Sequence, residues 1–498
     1  MTNHAENTGQ HGVCPGHMTR VLSQFALVAA VLAVAGPALA ETPQLAGPRI
    51  LEVEVPESSL VGREATLSNI IYLNRCKGGC RLQAGNINDS RSNLTTIPCP
   101  QNGSCPSTQH VLTEFNGDDT EWAAIVQCVK EMYSPYNVVI TETDPGAVTF
   151  HQEAMVGGIP SEVNMGNDVG GVSPYAGCSP INSVINFTFA NSYPKNSGRA
   201  QLLCGVIGQE SAHGYGLDHE FDCSTPMTYL NYCGQSFFRN KNLKCGELTT
   251  RACRCGATQN SHASLTGTFG PGTPITGNPT AKILTPAQSA SVTGSFLVGV
   301  EAADKRGIDR IELWLNGYKW AEYTEKRTPD KQVGTIVINA PANVPNGVID
   351  VQVKAFNDIQ LNTTSSTVTV TKGAPCTSAD SCATGQKCEA GKCFWDPPAG
   401  QLGDACDYPQ FCVGGRCEDA GGGKSCTQTC FVGVSGTCPE NFECVAAGAA
   451  GLCFAAVPED GGGCCSVGQD TNATLLVNAG IGALLLGMVF GRRKRKQA

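Results

Sequence analysis

Residues 209–219 read Gln-Glu-Ser-Ala-His-Gly-Tyr-Gly-Leu-Asp-His. On a helix, Gln209 and His213 project from one face a turn apart, so both side chains can reach one metal ion. Gly216 lets the chain leave the helix, and His219 can then close the site from a loop. Glu210 stands beside these residues, where a carboxylate can accept a proton from an attacking water. The stretch therefore predicts a hydrolytic metal site.

This stretch resembles the metzincin zinc-protease signature H-E-x-x-H-x-x-G-x-x-H, with Gln209 in place of the first histidine. Met227 lies in Ser224-Thr-Pro-Met-Thr-Tyr229, which resembles the methionine turn beneath the metal in that family. Tyr229 matches a tyrosine that astacin-like and serralysin-like members hold near the zinc. The resemblance covers residues 111–265 and implies an α/β metallopeptidase domain. It also implies zinc held by His213 and His219, with Glu210 as general base and Tyr229 donating to the oxyanion.

Gln209 is the departure from the family pattern. An amide oxygen is a weaker zinc donor than an imidazole, so Gln209 is expected to be a weak ligand or to be replaced by water or another residue. Among the other histidines we consider only His151 as a ligand that could complete the metal site, and we expect it to be a sheet-surface residue instead. Two functions stay open: a zinc-dependent metalloendopeptidase, or a non-catalytic pseudoprotease that binds peptides in an adhesion-type surface protein. In a third alternative this domain is purely structural, and the domains that follow it along the chain do the binding.

Local patterns around the site predict its framework. Apolar residues at helical spacing predict an amphipathic helix over 122–132, and the run before His213 predicts a helix that ends at Gly214 or Gly216. Three further runs predict strands: 137–141 as a buried strand, 150–156 as an edge strand and 185–189 as a half-buried strand.

Residues 276–372 contain no cysteine and show six short β-rich runs separated by turn residues such as Asn316-Gly317 and Asn346-Gly347. The pattern predicts an all-β sandwich and resembles the immunoglobulin-like modules of bacterial surface proteins. The runs are 281–284, 295–302, 309–315, 333–338, 348–356 and 366–371.

Cysteine usage indicates export. Cys76–Cys255 and Cys376–Cys453 each contain twelve cysteines, and an even number in an exported chain predicts disulfides. Residues 376–456 are too short and too cysteine-rich for an ordinary core, so this segment is expected to be a disulfide-stapled stalk or small binding module. Residues 41–110 are polar and contain cysteine pairs. Their removal as a propeptide is one alternative.

Both ends of the chain carry targeting signals. Residues 1–40 contain Arg20, an apolar run and Ala38-Leu39-Ala40, which predicts a cleaved signal peptide. Residues 461–498 contain Cys464-Cys465, an apolar stretch at 474–490 and a basic tail. This segment resembles the sorting signal of myxobacterial surface proteins, which implies a C-terminal transmembrane helix with Cys464 or Cys465 as the processing and anchoring point. The resemblance implies that the chain is held at the bacterial membrane and displayed on the cell surface.

Charge restricts the partners. The formal net charge is −9, and without the five basic residues of the tail the rest of the mature chain carries −14. An acidic ectodomain repels phosphate backbones, so we expect no nucleic-acid partner. The expected partners are a protein or peptide substrate and the membrane, and the expected cofactor is zinc.

Overall fold

The computed structural model describes residues 48–100, 105–324, 333–419, 421–447 and 450–456. The predicted signal peptide and the sorting signal, with Cys464, Cys465 and 474–490, lie outside these ranges. None of the helices within them is long and apolar enough to cross a bilayer. The described chain is multidomain and mostly β, with an immunoglobulin-like domain and a disulfide-rich region.

The chain divides into two compact units. The first unit takes the residues up to Lys130, Val138–Tyr232 and Asn242–Gln259. The second unit takes Glu131–Asn137, Cys233–Lys241 and the residues from Asn260 onward.

A six-stranded sheet and two helices form the framework of the first unit. Its elements are β1 Arg49–Glu54, β2 Ile70–Asn74, β3 Cys80–Ala84, β4 Leu94–Thr95, β5 Gln109–Leu112, α1 Asp119–Tyr133 (which runs on past the unit), β6 Val139–Thr141, β7 Gln152–Gly157, β8 Val169–Tyr175, β9 Val184–Phe189 and α2 Arg199–Gly214. The sheet order is β1-β8-β9-β7-β2-β6, and β8 and β9 are the antiparallel pair. The other neighbours run parallel.

The two faces of this sheet are covered by different elements. Helix α2 lies against β7, β8, β9 and β1. On the other face Val172, Ile185 and Phe187 join a buried cluster with Leu82 and Leu112 of the small sheet β4-β3-β5. Because neighbouring residues of a strand point to opposite faces, Gly171 of β8 faces the helix while Val172 faces the cluster.

Helices at the expected places are confirmed: α1 covers 119–133, and α2 ends at Gly214. The strands differ from expectation in their places within the sheet. The run at 150–156 gives β7, an interior strand, and all of β9 is buried. The run at 137–141 gives β6, which is a partly exposed edge strand.

The sheet also takes strands from the N-terminal segment. β2 lies between β7 and β6, and β1 pairs with β8 along its length. The sheet therefore does not begin at residue 111. Removal of all residues up to 110 would take out β2, an interior strand of this sheet.

A buried carboxyl group on β7 gives the sheet a pH-dependent stability. Glu153 is 2% exposed, and its Oε1 accepts a hydrogen bond from Asn74 Nδ2 at 2.7 Å. Burial raises the pKa of Glu153 from 4.5 to about 7. Between these pH values the folded state holds one more proton than the unfolded state, so stability falls as the pH rises.

We expect the free energy of unfolding to decrease by about 3 kcal/mol from pH 4.5 to above pH 7 through this group. Glu153→Gln keeps the shape and the acceptor for Asn74 but removes the titration, so its stability should lack this decrease. Denaturant unfolding of both proteins across this pH range measures the difference. Parallel curves would show that Glu153 does not titrate as described.

The β-sandwich in the second unit is confirmed. It consists of a three-stranded sheet, β10-β12-β15, and a sheet with the order β11-β18-β16-β13-β14, in which β17 pairs with β16. Val300, Ile311 and Val353 are among the fully buried core residues. The elements are α3 Ser261–Phe269, β10 Thr280–Thr285, β11 Ser291–Val292, β12 Phe296–Ala303, β13 Arg310–Leu315, β14 Tyr318–Thr324, β15 Val333–Ala340, β16 Gly347–Phe356, β17 Asn362–Thr364 and β18 Val368–Lys372.

The disulfide-rich region is a threefold repeat of one bonding pattern. In each module the first cysteine bonds to the third and the second to the fourth. The pairs are Cys376–Cys388 and Cys382–Cys393, Cys406–Cys417 and Cys412–Cys426, and Cys430–Cys444 and Cys438–Cys453. Short strands lie between them: β19 Lys387–Glu389, β20 Lys392–Phe394, β21 Cys417–Asp419, β22 Lys424–Cys426, β23 Thr429–Cys430, β24 Phe442–Ala447 and β25 Ala450–Ala455.

Candidate metal centre

Helix α2 delivers Gln209, Glu210 and His213 to the interior. Every residue from Leu203 to Gly214 is buried, as expected for a helix enclosed on all sides. The helix ends where Gly216 adopts a φ of +84°, a conformation that favours glycine. A side chain at this position would also meet the backbone of Cys178. This turn brings His219 back beside His213, and the two ring centroids are 4.6 Å apart.

His213 presents one nitrogen for a ligand. Its Nδ1 donates to the Leu217 carbonyl at 2.8 Å, so Nε2 carries the lone pair. Within the described residues Nε2 has no hydrogen-bond partner, although the side chain is fully buried. Burial, with a smaller contribution from His219, lowers the pKa of His213 to about 4. A neutral, oriented imidazole of this kind is what a metal ion requires.

His219 is held from several sides. Its backbone N–H donates to Asp218 Oδ1 at 2.8 Å, and its Nδ1 lies 3.2 Å from Glu247 Oε1. Its Nε2 lies 3.2 Å from Glu52 Oε2. The hydrogen bond from His219, together with that from Arg251, lowers the pKa of Glu247 to about 2. Glu247 is therefore a carboxylate that orients the imidazole.

Glu210 is fully buried beside β8, and neither of its carboxylate oxygens has a partner within the described part of the chain. Its Oε1 occupies the space that a Cβ on Gly171 would need. Burial raises the pKa of Glu210 well above its usual value, and the carboxylate of Glu52 raises it further. An isolated carboxyl group in such surroundings is costly unless a cation or a water compensates it.

The turn after His219 has the tight geometry expected from the sequence. Met227 is fully buried, its N–H donates to Thr225 Oγ1 and its carbonyl accepts from Glu220 N–H. Gln209 connects the helix to this turn. With its amide oriented to satisfy its neighbours, its nitrogen donates to Pro226 O at 2.8 Å and to Thr228 O at 3.2 Å.

Tyr229, which was predicted for the site, and His151, which was considered for it, have other contacts. The Tyr229 ring packs against His219 with centroids 4.6 Å apart, but its hydroxyl donates to the Ile50 carbonyl. In this conformation the hydroxyl is not free to donate to an oxyanion. His151 lies at the start of β7, where its Nδ1 donates to Thr149 O and its ring meets Tyr72. It is not part of the cluster formed by His213 and His219.

The sequence did not single out Glu52 or the ion pairs around it. Ligand atoms of Glu52, His213 and His219 lie within 4.8 Å of one another. Arg254 bonds to Glu52 and to Glu54. The sequence does contain a signal for this strand. The alternation Leu51-Glu-Val-Glu54 is typical of a half-buried strand with two carboxylates on one face.

Cysteines also cluster in the disulfide-rich modules at spacings that could suit a metal. These cysteines are disulfide-bonded and offer no thiolate, which agrees with the expectation of disulfides rather than zinc ligands.

One family match falls within the second unit. A family of bacterial Ig domains matches residues 279–331, within the β-sandwich. No curated protein matches the chain in sequence.

Three solved structures are similar to parts of the chain. The fibronectin(III)-like modules of CbhA from Clostridium thermocellum are 13% identical, with 19% of this chain and 94% of that chain covered. OgpA from Akkermansia muciniphila is 12% identical, with 66% and 98% covered. An endo-beta-1,4-mannanase from Thermotoga petrophila is 10% identical, with 45% and 48% covered. The TM-score is 0.16 in each case, and we infer nothing about this chain from these three.

Proposed function

We propose that the chain is an exported, surface-anchored zinc-dependent metalloendopeptidase. The observation that carries the proposal is a group of buried acceptor atoms near the end of α2 that have no hydrogen-bond partner among the described residues: His213 Nε2 and both oxygens of Glu210, beside His219. Such atoms are rare in folded proteins and call for a ligand. Two imidazoles and a neighbouring carboxylate are a donor set that zinc accepts.

Zinc bound there would lower the pKa of an attacking water and favour negative charge on a carbonyl oxygen. His213 and His219 would hold it, with Gln209 as a weak or replaced third ligand. Glu210 would accept the proton of the water and pass it to the leaving amine. Buried surroundings strengthen each of these electrostatic interactions.

The test uses the full-length chain produced under oxidising conditions. We expect one tightly bound zinc per chain, measured by elemental analysis, and cleavage of peptides in a mixed library. Removal of zinc with a chelator should stop cleavage, and returned zinc should restore it. A folded chain that takes up zinc and cleaves no peptide would contradict the proposal.

A non-catalytic peptide-binding protein is the second candidate. It is favoured by Gln209, whose amide is occupied by hydrogen bonds to the Met227 turn, and by the contact of the Tyr229 hydroxyl with Ile50. This protein would bind peptides from the same library without cleaving them.

A further inference from the structure

Acceptor atoms converge between the two histidines. The Nδ1–H of His213 is directed at Leu217 O, so its Nε2 carries a lone pair, while the Nδ1 of His219 lies beside an oxygen, Glu247 Oε1. The Nε2 of His219 faces Glu52 Oε2 at 3.2 Å. A neutral imidazole holds its proton on one ring nitrogen, and with that proton on Nδ1, toward Glu247, a cation between Nε2 and Glu52 Oε2 would compensate both acceptors. This is the geometry of a ligand set with three donors.

We propose that Glu52 is the third ligand of the metal centre and replaces the imidazole that Gln209 does not supply. The inference rests on the proposed zinc-dependent function. Two histidines and one glutamate are a known donor set of catalytic zinc sites, which keep a further position open. One negative charge on Glu52 also offsets part of the charge of the ion in a buried site.

The fold aims Glu52 at this position. Leu51 and Val53 pack against the hydrophobic cluster on one face of the sheet, so Glu52 points to the face that carries α2. Parallel pairing places Glu52 opposite Ser173 of β8. Arg254 binds Oε1 of Glu52, which leaves Oε2 directed at His219.

Gln209 has a different role. Its amide nitrogen donates to the carbonyls of Pro226 and Thr228, which fixes α2 to the Met227 turn. Its oxygen lies 3.1 Å from His219 Nε2, but a neutral amide oxygen is a poorer zinc donor than a carboxylate. The Gln209 side chain therefore has a structural role at the position that the family signature gives to the first zinc ligand.

β1 is hydrogen-bonded at both of its ends. Arg49 N–H donates to Asp168 O at 2.7 Å, and Val55 N–H donates to Tyr175 O at 3.0 Å, so both ends are bonded beyond the ladder with β8. The chain then continues into β2, an interior strand. The inference therefore requires that the N-terminal segment stays part of the mature protein.

The experiment compares Glu52→Gln with Glu54→Gln in the full-length chain. The two residues share a strand face and the partner Arg254, but the Glu54 side chain is 78% exposed. Zinc affinity is measured by competition with a chelator, and the visible spectrum of bound Co²⁺ reports the ligand set. Since loss of outer-shell partners alone weakens metal sites by about 10- to 100-fold, Glu52→Gln should weaken zinc binding by about 100-fold or more. Glu54→Gln should change it by less than about 10-fold.

A double variant tests the replacement directly. Gln209→His in the Glu52→Gln background should recover most of the lost zinc affinity, because it returns a third donor. Unchanged or tighter zinc binding in Glu52→Gln would overturn the inference. Zinc binding that depends on Glu52 in a chain that cleaves no peptide would support the inference while contradicting the proposed protease. A wild-type chain that binds no zinc would overturn both.

Discussion

Glu210→Gln should abolish peptide cleavage while the protein still binds zinc. Glutamine has the same shape, so the buried surroundings of α2 and the space above Gly171 are preserved. It cannot accept a proton, and loss of a positioned general base typically costs about 10²- to 10⁴-fold in rate. We expect a fall of this size in kcat/KM on any peptide that the wild-type chain cleaves.

The measurement needs the metal content and the rate of the same preparation. Glu54→Gln is the control, because it removes a carboxylate from the same unit and leaves the site intact. Full activity in Glu210→Gln would exclude a proton-accepting role. Loss of zinc from Glu210→Gln would show instead that this carboxylate holds the metal.

Asp218→Ala should destabilise the first unit by about 3 kcal/mol, the lower end of the range for breaking a buried ion pair. The Asp218 side chain is fully buried and accepts two hydrogen bonds from Arg251, at 2.6 and 2.7 Å. It also accepts from the backbone N–H groups of Arg254 and His219, each at 2.8 Å. Arg251 is partly exposed, which limits the cost.

Denaturant unfolding of the wild type, Asp218→Ala and Asp218→Asn measures this effect. The asparagine variant keeps an acceptor oxygen and the volume, so it should be the less damaged of the two. The alanine variant should also weaken zinc binding by about 10- to 100-fold, because His219 loses its support. A loss of stability below about 1 kcal/mol would mean that Arg251 and Glu247 support this region without Asp218.

Local sequence patterns were sufficient for the helix that carries the site. The apolar spacing before His213 and the glycines after it predicted both the extent of α2 and the return of His219. The β-sandwich could be predicted equally well, because its β-rich runs are separated by turns that contain Asn-Gly pairs. Strand β14, directly after the Asn316-Gly317 turn, and the short strands β11 and β17 were not predicted.

The pairing of distant strands could not be predicted in this way. β8 contains Gly170, Gly171 and Pro174, which are unfavourable in strands, so it was not recognised. The structure gives the reason for Gly171: the carboxyl group of Glu210 takes the space of its side chain. Glu52 was missed because its neighbour in space, His219, is 167 positions away and nothing local connects them. Disulfide connectivity could not be predicted for the same reason.

The three cysteine modules have a mechanical consequence. Within each module the two bonds interlock, and each of the twelve cysteines that the structure describes here is bonded within its own module. A pulling force on the chain would pass across the S–S bridges, and most residues of a module would stay inside closed loops that cannot be drawn out. An unbridged chain would lengthen by about 3.3–3.6 Å for each residue released. This region would behave as a short, nearly inextensible tether, and a single cut within a loop would leave it continuous.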